Sequence, residues 1–194
     1  MRKTLIASAA LVFAAAAYLA TPSHSAGAKE TVQVDGVHSA VIFKVKYFKA
    51  SSFYGSFRNV SGTIVTTENG VGSADLTIRA DSVFTANAGR DKHLRSGDFF
   101  SAKEFPEITF KSDNVKHLGG DKYEAAGKFT LHGVTKDLTI AFVRTGRGKG
   151  RQGEPRTGFE GTFTFKRSAF GMKYMVGPLS DDVTITAALA AIIQ

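Results

Sequence analysis

The sequence contains no cysteine, no tryptophan and only four prolines among its 194 residues. Without cysteine the chain has no disulfide, no thiolate nucleophile, no iron–sulfur cluster and no lipid-modified N-terminal cysteine. Any metal site would have to be built from histidine and carboxylate side chains. The apolar residues also form no heptad repeats and no alternation of strands with helices. The length suits a single domain, so the class of that domain has to be read from the features that remain.

The beginning of the chain has the pattern of an export signal. The basic tripeptide MRK precedes an apolar run, Leu5–Ala20, which is shorter than the ~20 residues of a membrane-spanning helix. A short polar break and an A-x-A sequence ending at Ala28 follow. We predict a cleaved signal peptide, residues 1–28, and a mature domain, residues 29–194. Cleavage after Ala26 is the second choice, and an uncleaved anchor is the alternative.

The chain is basic, with a formal net charge of +8 at pH 7. Removal of Arg2 and Lys3 with the signal leaves +6 (8 − 2) on the mature domain. This charge favours anionic surfaces and head groups, and we expect transient contact with a membrane surface. Nucleic acid is the other common partner of a basic chain, but export separates the protein from DNA and RNA. We therefore expect no nucleic-acid partner.

Most of the mature chain alternates apolar and polar residues with the period of two that is typical of strands. Val41, Phe43 and Val45 fall on one face of such a strand, and Lys44 and Lys46 fall on the other. About eight strands with short connections are predicted in this way, together with one helix-like insertion. A two-sheet sandwich and a closed antiparallel barrel both suit this all-β pattern.

Glycines inside the predicted strands favour the barrel. Gly55, Gly127 and Gly161 stand among inward-facing phenylalanines, and glycine within a strand often marks a bend or a close approach of another group. Eight strands closed into a barrel leave an interior able to hold one small ligand. On residue pattern alone, the phenylalanine-rich faces are equally typical of a filled core and of a ligand cavity.

Three local predictions concern the connections between strands. Phe53–Thr67 is expected to form one strand, and the following Glu68-Asn69-Gly70 contains the Asn-Gly pair typical of a hairpin turn. Gly146–Gly150 alternates glycine with basic residues, but a strand follows it where a phosphate-binding loop would open a helix. We interpret the whole of Arg144–Arg156 as a flexible basic loop that attracts anionic lipid surfaces.

One segment, Asp81–Phe110, interrupts the alternation with a dense group of charges and phenylalanines. It is too aromatic for a disordered segment, and long ordered connections are usually functional. We predict an ordered cap whose aromatic side chains pack down and whose charges face an opening. Arg90, Asp91 and His93 have the chemistry of an acid–base cluster, but no nucleophile motif accompanies them. A hydrogen-bonded cap or a head-group contact is therefore the favoured interpretation, and we predict no catalytic residue.

No histidine spacing typical of a metal site is present. A metal ion would require distant residues such as His38 and His93 to meet in space, and this alternative stays open. We predict no metal and no cofactor.

Short motifs along residues 30–191 occur in the order found in the YceI-like family, which this chain resembles. They are DGVHS with VIF near the start, DS, RDKHL and FF in the cap, FPEITFKS after it, and LHGVTK, RSAFGM and SDDV further on. One position differs, because many members have a histidine where this chain has Tyr47. Any role of that histidine cannot be transferred, since a tyrosine donates a hydrogen bond but is not cationic near neutral pH.

The resemblance implies an extended lipocalin-like, eight-stranded antiparallel barrel with a long apolar pore, in a protein of the periplasm. Family members bind polyisoprenoid lipids or isoprenoid quinone-like chains, so the implied role is lipid binding for storage or transport. The pore residues expected to contact the lipid are Phe43, Val45, Phe57, Leu76, Ile78, Phe110, Phe129, Leu131, Phe142, Phe163 and Phe165. The residues expected at the polar mouth are His38, Arg90, Asp91, His93 and Arg167, with Asp91 orienting Arg90.

Two other functions remain as alternatives. One is an enzyme that acts on an isoprenoid pyrophosphate, which would need a metal or a nucleophile. The other is a partner module for membrane b-type cytochromes, because some relatives are fused or adjacent to them. The sequence also leaves open whether the protein forms a homodimer.

Overall fold

The computed structural model describes residues 28–68 and 71–194. The predicted signal sequence before Ala28 and the Asn69-Gly70 pair lie outside the described residues. Eleven strands and one α-helix occur within the described part. The strands are β1 (Lys29–Val34), β2 (Ala40–Tyr47), β3 (Ser51–Phe57), β4 (Val60–Thr67), β5 (Val71–Arg79), β6 (Val83–Phe84), β7 (Glu107–Gly119), β8 (Lys122–Leu131), β9 (Val134–Lys149), β10 (Pro155–Lys166) and β11 (Asp182–Ile193), and the helix is α1 (Ala88–Leu94).

Eight of these strands close into an antiparallel barrel. Their order is β1-β4-β5-β7-β8-β9-β10-β11, and the pairing of β11 with β1 closes the ring. The predicted all-β barrel is therefore confirmed, and the sandwich is not formed. Closure pairs both edges of the sheet, so the barrel presents no free strand edge along these pairings.

The remaining strands extend the sheet at one end of the barrel. β11 pairs with β1 through Ala191–Ile193 and with β2 through Thr184–Ala188. β3 pairs with β2, and the short β6 pairs with β3 at Ser56 and Phe57. The predicted single strand over Phe53–Thr67 is wrong at this point, because the chain leaves β3 at Phe57 and enters β4 at Val60. The buried positions change from the odd residue Phe57 to the even residues Val60 and Ile64 across the break, and this shift of phase was its signal in the sequence.

The predicted basic loop over Arg144–Arg156 is mostly strand. β9 continues to Lys149, and β10 begins at Pro155. Arg144 takes the place of an inward apolar residue, since its guanidinium packs over the rings of Tyr123 and Phe159 at 5.4 and 5.3 Å. Because an arginine occupies this inward position, the apolar alternation that predicts a strand is interrupted in the sequence.

Close packing between strands explains two of the glycines. A Cβ atom at Gly127 would overlap the carbonyl oxygen of Lys111 on β7. A Cβ atom at Gly55 would overlap the ring of Phe43, which points into the barrel from β2. The interpretation of these positions as close approaches is confirmed.

The insertion between β5 and β7 folds over the end of the barrel that carries the sheet extension. It contains α1, whose N-cap Asn87 accepts a hydrogen bond from the backbone N–H of Arg90 at 2.9 Å. Phe99 is buried, and the ring of Phe100 meets that of Phe57 edge to face at 5.3 Å. The predicted cap is therefore present, with its aromatic side chains packed inward. Within the described residues, no helix has the length and apolar character to cross a membrane.

Candidate ligand-binding cavity

A cavity of about 480 Å³ lies between the barrel wall and the cap. This volume is within the range of about 300–1,000 Å³ typical of small-molecule sites. Its wall is apolar except for Arg90, His93, Arg167 and the hydroxyl of Tyr47. Tyr47 is 49% exposed, so the cavity reaches the protein surface beside this residue. We call this end of the barrel the mouth.

A second chamber of about 100 Å³ continues the space deeper into the barrel. The two chambers share six wall residues, which form the ring between them: Val41, Ile78, Ile108, Phe129, Phe163 and Ile185. The rings of Phe129 and Phe163 meet edge to face at 5.8 Å in this region. The barrel interior therefore holds two adjoining apolar spaces. The phenylalanine-rich faces pack against one another as a core and also line a cavity.

All of the predicted pore residues face one of these spaces. The large chamber is lined by Phe43, Val45, Phe57, Ile78, Phe129, Leu131, Phe163 and Phe165, and the small chamber by Leu76, Ile78, Phe110, Phe129, Phe142 and Phe163. The period-two pattern thus placed these eleven side chains on the faces of their strands that line the two chambers. Contact of these side chains with a ligand stays a prediction.

His38 does not lie at the mouth, and its assignment there needs correction. Along β2, the alternate side chains of Val41, Phe43, Val45 and Tyr47 line the large chamber, with Tyr47 at the mouth. His38 precedes Val41 and so lies beyond the opposite end of the strand. There, the Nδ1 atom of its ring is hydrogen-bonded to a carboxylate oxygen of Asp35 at 2.8 Å. From residue type alone, His38 is expected beside His93. In the structure, the length of β2 separates the two histidines. No group of three or more metal-ligating side chains forms among the residues that the structure describes.

Asp91 also requires correction, because it is buried beneath the cap and does not line the cavity. Its carboxylate accepts hydrogen bonds from the Thr85 backbone N–H at 2.8 Å and from the Thr85 hydroxyl at 2.5 Å. Arg90 in turn donates from Nε to the Thr85 hydroxyl at 2.8 Å and from Nη2 to the Thr85 carbonyl at 2.7 Å. Asp91 therefore orients Arg90 through Thr85 and not by direct contact.

Arg90 and His93 are the charged or titratable cap residues that reach the cavity wall. The Arg90 guanidinium lies over the ring of Phe53 at 4.6 Å, and its remaining donors are free to meet an anionic or polar group. The His93 imidazole is hydrogen-bonded to Asp98 at 2.7 Å and contacts the rings of Phe99 and Tyr174. The two side chains place polar chemistry at the mouth end of an apolar space.

Arg167 lines the cavity, but most of its donors hold a loop in place. Its guanidinium donates to the carbonyl oxygens of Ser180 at 3.0 Å, Met172 at 3.0 Å and Tyr174 at 2.8 Å. Burial lowers the pKa of this guanidinium, while the nearby Asp181 carboxylate acts in the opposite direction. Arg167 therefore fixes the connection between β10 and β11 and places a positive charge behind the cavity wall.

The sequence patterns missed a set of wall residues from irregular segments. Met172, Met175 and Leu179 line the cavity from the loop between β10 and β11. Leu94, Phe99 and Phe100 line it from the cap. None of these residues has strand periodicity to mark an inward face. The phenylalanine pair of the cap was the available signal, because two consecutive aromatic side chains on a short connection have to pack against something.

The match to known proteins covers nearly the whole described chain. Residues 32–191 match the family model described as the YceI-like domain. A UPF0312 protein of Pseudomonas aeruginosa is 38% identical over 197 residues, with 100% of both chains covered. The protein YceI of Salmonella newport is 34% identical, also with 100% of both chains covered.

Solved structures agree with this assignment. BcnA of Burkholderia cenocepacia aligns with a TM-score of 0.71 at 27% identity, over 81% of this chain and 98% of that one. The YceI protein of Campylobacter jejuni aligns at 0.66 and 31%, over 76% and 88%. A polyisoprenoid binding domain from Saccharophagus degradans shares the fold, with a TM-score of 0.66 at 17% identity over 84% and 98%. On the strength of these matches, the chain belongs to the YceI-like family.

Proposed function

We propose that this protein is exported to the periplasm and holds a polyisoprenoid or isoprenoid quinone chain in its cavity, for storage or transport. The observation that carries the proposal is the unfilled apolar space of about 480 Å³ with cationic side chains at one end. Removing an apolar chain from water is favourable without any chemical step. The tail would lie along the barrel, and the head group would lie near Arg90 and His93.

The energy available from such binding suits a carrier. A ligand of about 40 heavy atoms at roughly −0.3 kcal/mol per atom gains about −12 kcal/mol, which corresponds to nanomolar affinity. A chain of this kind bends between its double bonds and has to fit past the Phe129–Phe163 pair to reach the small chamber. The solved relative described as a polyisoprenoid binding domain supports the ligand class, and the proposal extends that class to this chain.

Identification of the co-purified lipid tests the proposal. Protein produced with its own leader would be extracted with organic solvent, and the extract would be analysed by mass spectrometry. An isoprenoid species at near-stoichiometric yield is the expected result. Failure to detect any isoprenoid in several clean preparations would contradict the proposal.

Two assays separate binding from catalysis on the same lipid. Incubation with a prenyl pyrophosphate should release no phosphate, and elemental analysis should find no stoichiometric metal. Phosphate release that depends on a bound metal would support the enzyme instead. A barrel interior filled by the chain's own side chains would have favoured a partner module, and the cavity argues against that alternative.

A further inference from the structure

Four large apolar side chains are exposed around the mouth of the cavity. Tyr47 ends β2 and Phe48 begins the turn to β3, and the two are 49% and 55% exposed. Tyr174 and Val176 belong to the loop between β10 and β11 and are 40% and 43% exposed. Exposed apolar groups scattered singly are ordinary, but several together at one end of a molecule indicate an interaction surface. We call residues 46–49 and 173–180 together the rim.

The two segments of the rim are joined to each other. The Phe48 N–H donates to the Pro178 carbonyl at 2.6 Å, and the Ser180 N–H donates to the Lys46 carbonyl at 2.9 Å. The Lys46 N–H donates to the Ser180 hydroxyl at 2.9 Å. Arg167 holds the loop from beneath through its carbonyl contacts. The rim is thus a single supported surface and not two independent loops.

The rim is continuous with the inside of the cavity. Tyr47 is exposed and also lines the large chamber. Met175 and Leu179 line the chamber from the same loop that exposes Tyr174 and Val176. An apolar chain leaving the cavity would therefore pass over apolar side chains until it reached whatever the rim contacts.

The charge of the rim has one sign. Lys46, Lys49 and Lys173 are exposed on its two segments. The sequence has no aspartate or glutamate between residues 40 and 50 or between residues 166 and 180. Aromatic side chains with interleaved lysines are typical of surfaces that lie on anionic lipid head groups. A neutral or cationic partner would not complement this rim.

The turn at the tip of the rim has an unfavourable sequence for its backbone shape. Phe48 and Lys49 have φ values of +48° and +58°, and the Ala50 N–H closes the turn on the Tyr47 carbonyl at 3.0 Å. Two central residues at positive φ favour Asn and Gly, and bulky residues are rare there. The chain places a phenylalanine and a lysine where stability alone would select other residues. This choice indicates that the two side chains are needed at the surface.

We propose that the rim docks on an anionic bilayer surface, which is the source or the acceptor of the lipid carried in the cavity. The aromatic side chains enter the head-group region, and the lysines contact the phosphates. The mouth then opens toward the membrane. This inference rests on the proposed function for its purpose, but the docking itself is measured separately.

The opposite end of the barrel is the competing surface, since the β9–β10 hairpin is also basic and Val71, Leu118 and Val143 are exposed at that end. None of these three side chains lines either chamber, so the apolar surface there is not continuous with the cavity. In the β9–β10 hairpin, Arg147 is paired with Glu30, and Arg156 is paired with Asp35 and Glu154. These pairs neutralise much of the positive charge at that end. We therefore place the proposed contact with anionic lipid surfaces at the rim and not at Arg144–Arg156.

Vesicle sedimentation tests the inference with a variant designed to keep the fold. Protein from the full coding sequence, with its processed N-terminus established by intact mass, would be mixed with phosphatidylcholine–phosphatidylglycerol vesicles. Phe48→Asn with Lys49→Gly gives the turn its preferred residues, so the melting temperature should rise or stay unchanged. Vesicle binding should nevertheless fall at least about tenfold, because one aromatic anchor and one lysine are lost.

A matched control makes the same kind of change at the other end. Leu118 near the end of β7 is 56% exposed, and Lys122 begins β8 after the turn that follows. Leu118→Asn with Lys122→Gln should leave vesicle binding within about twofold. Binding of the wild-type protein should also be weaker to pure phosphatidylcholine and at high salt. Equal losses in both variants, or no binding of the wild type to anionic vesicles, would overturn the docking. The isoprenoid content of the same samples is read independently, so failure of the docking and failure of the carrier role give different results.

Discussion

Residues one position apart meet opposite environments in the barrel wall. On β10, Phe163 faces the cavity near Phe129, whereas Thr164 faces outward and shares a hydrogen bond with Thr184 at 3.1 Å. Arg167, just after the strand, is buried, while Lys166 before it is exposed and paired with Asp182. The chemical effect of a substitution here depends on the direction of the side chain more than on its place in the sequence.

Phe163→Glu should remove the ligand while Thr164→Glu should retain it. A carboxylate at position 163 would lie in the apolar cavity, where burying an unpaired charge is costly, and the retained lipid should fall at least about tenfold. The same charge at position 164 lies in water. Lipid content of the two purified variants is the measurement, and equal content in both would show that the chosen strand face does not contact the ligand.

Arg167→Met should destabilise the protein through the loop that it holds. The carbonyls of Met172, Tyr174 and Ser180 would lose their donor, at a cost of about 3 kcal/mol or more in the free energy of unfolding. Arg167→Lys should restore little, since an ammonium group cannot reproduce the planar fork. Lys166→Met, the exposed neighbour, should have little effect in the same urea titration. A mild effect of Arg167→Met would mean that the loop is supported by other contacts.

At the scale of elements, the cap and the corner between β1 and β2 each depend on one polar network. In the cap, Thr85 connects the buried Asp91 to Arg90. At the corner, Asp35 accepts hydrogen bonds from Arg156 at 2.7 Å and pairs with His38. The sequence pattern had already grouped Arg90 with Asp91, but not with Thr85. It could not join Asp35 to Arg156, because these two residues are 121 positions apart and meet only in the folded chain.

Thr85→Val should loosen the cap. The valine has nearly the same shape but neither donates to Asp91 nor accepts from Arg90, so the buried carboxylate loses a partner at a cost of about 2 kcal/mol. Thr85→Ser keeps the hydroxyl and serves as the matched control. Hydrogen exchange of the α1 amides should be faster in the valine variant alone. Unchanged exchange would show that packing of Phe99 and Phe100 holds the cap by itself.

The corner network should make stability depend on acid pH. The hydrogen bond that Asp35 accepts from Arg156, and then the one that it accepts from His38, lower the pKa of Asp35 to about 2. Since an unfolded aspartate titrates near 3.9, the folded state favours the ionised form. This contribution is complete above about pH 4 and disappears as the pH falls toward 2. Asp35→Asn should therefore be less stable than the wild type at pH 6 and equal to it near pH 2, as measured by urea unfolding. A difference that persists at pH 2 would assign the effect to packing.

In the molecule as a whole, two adjoining apolar spaces occupy the barrel interior, and the larger one reaches the surface at the end covered by the cap. The barrel and the inward faces of its strands were predictable, because period-two alternation in segments such as Val41–Val45 is a direct consequence of strand geometry. The extension formed by β2, β3 and β6 was not, since β11 changes partners partway along its length and sequence alternation carries no record of pairing. The loop that supplies Met172 and Leu179 has no periodicity, and its place is set by Arg167 together with the hydrogen bonds that join it to Lys46 and Phe48.

Photo-crosslinking measures where the bound chain lies. The protein would be loaded with an isoprenoid quinone that carries a diazirine on its tail, irradiated, digested and analysed by mass spectrometry. We predict adducts on the β8 and β10 segments that contain Phe129 and Phe163, and their loss when unlabelled isoprenoid competes. Adducts confined to outward positions such as Thr164, or insensitive to the competitor, would contradict a ligand held inside the barrel.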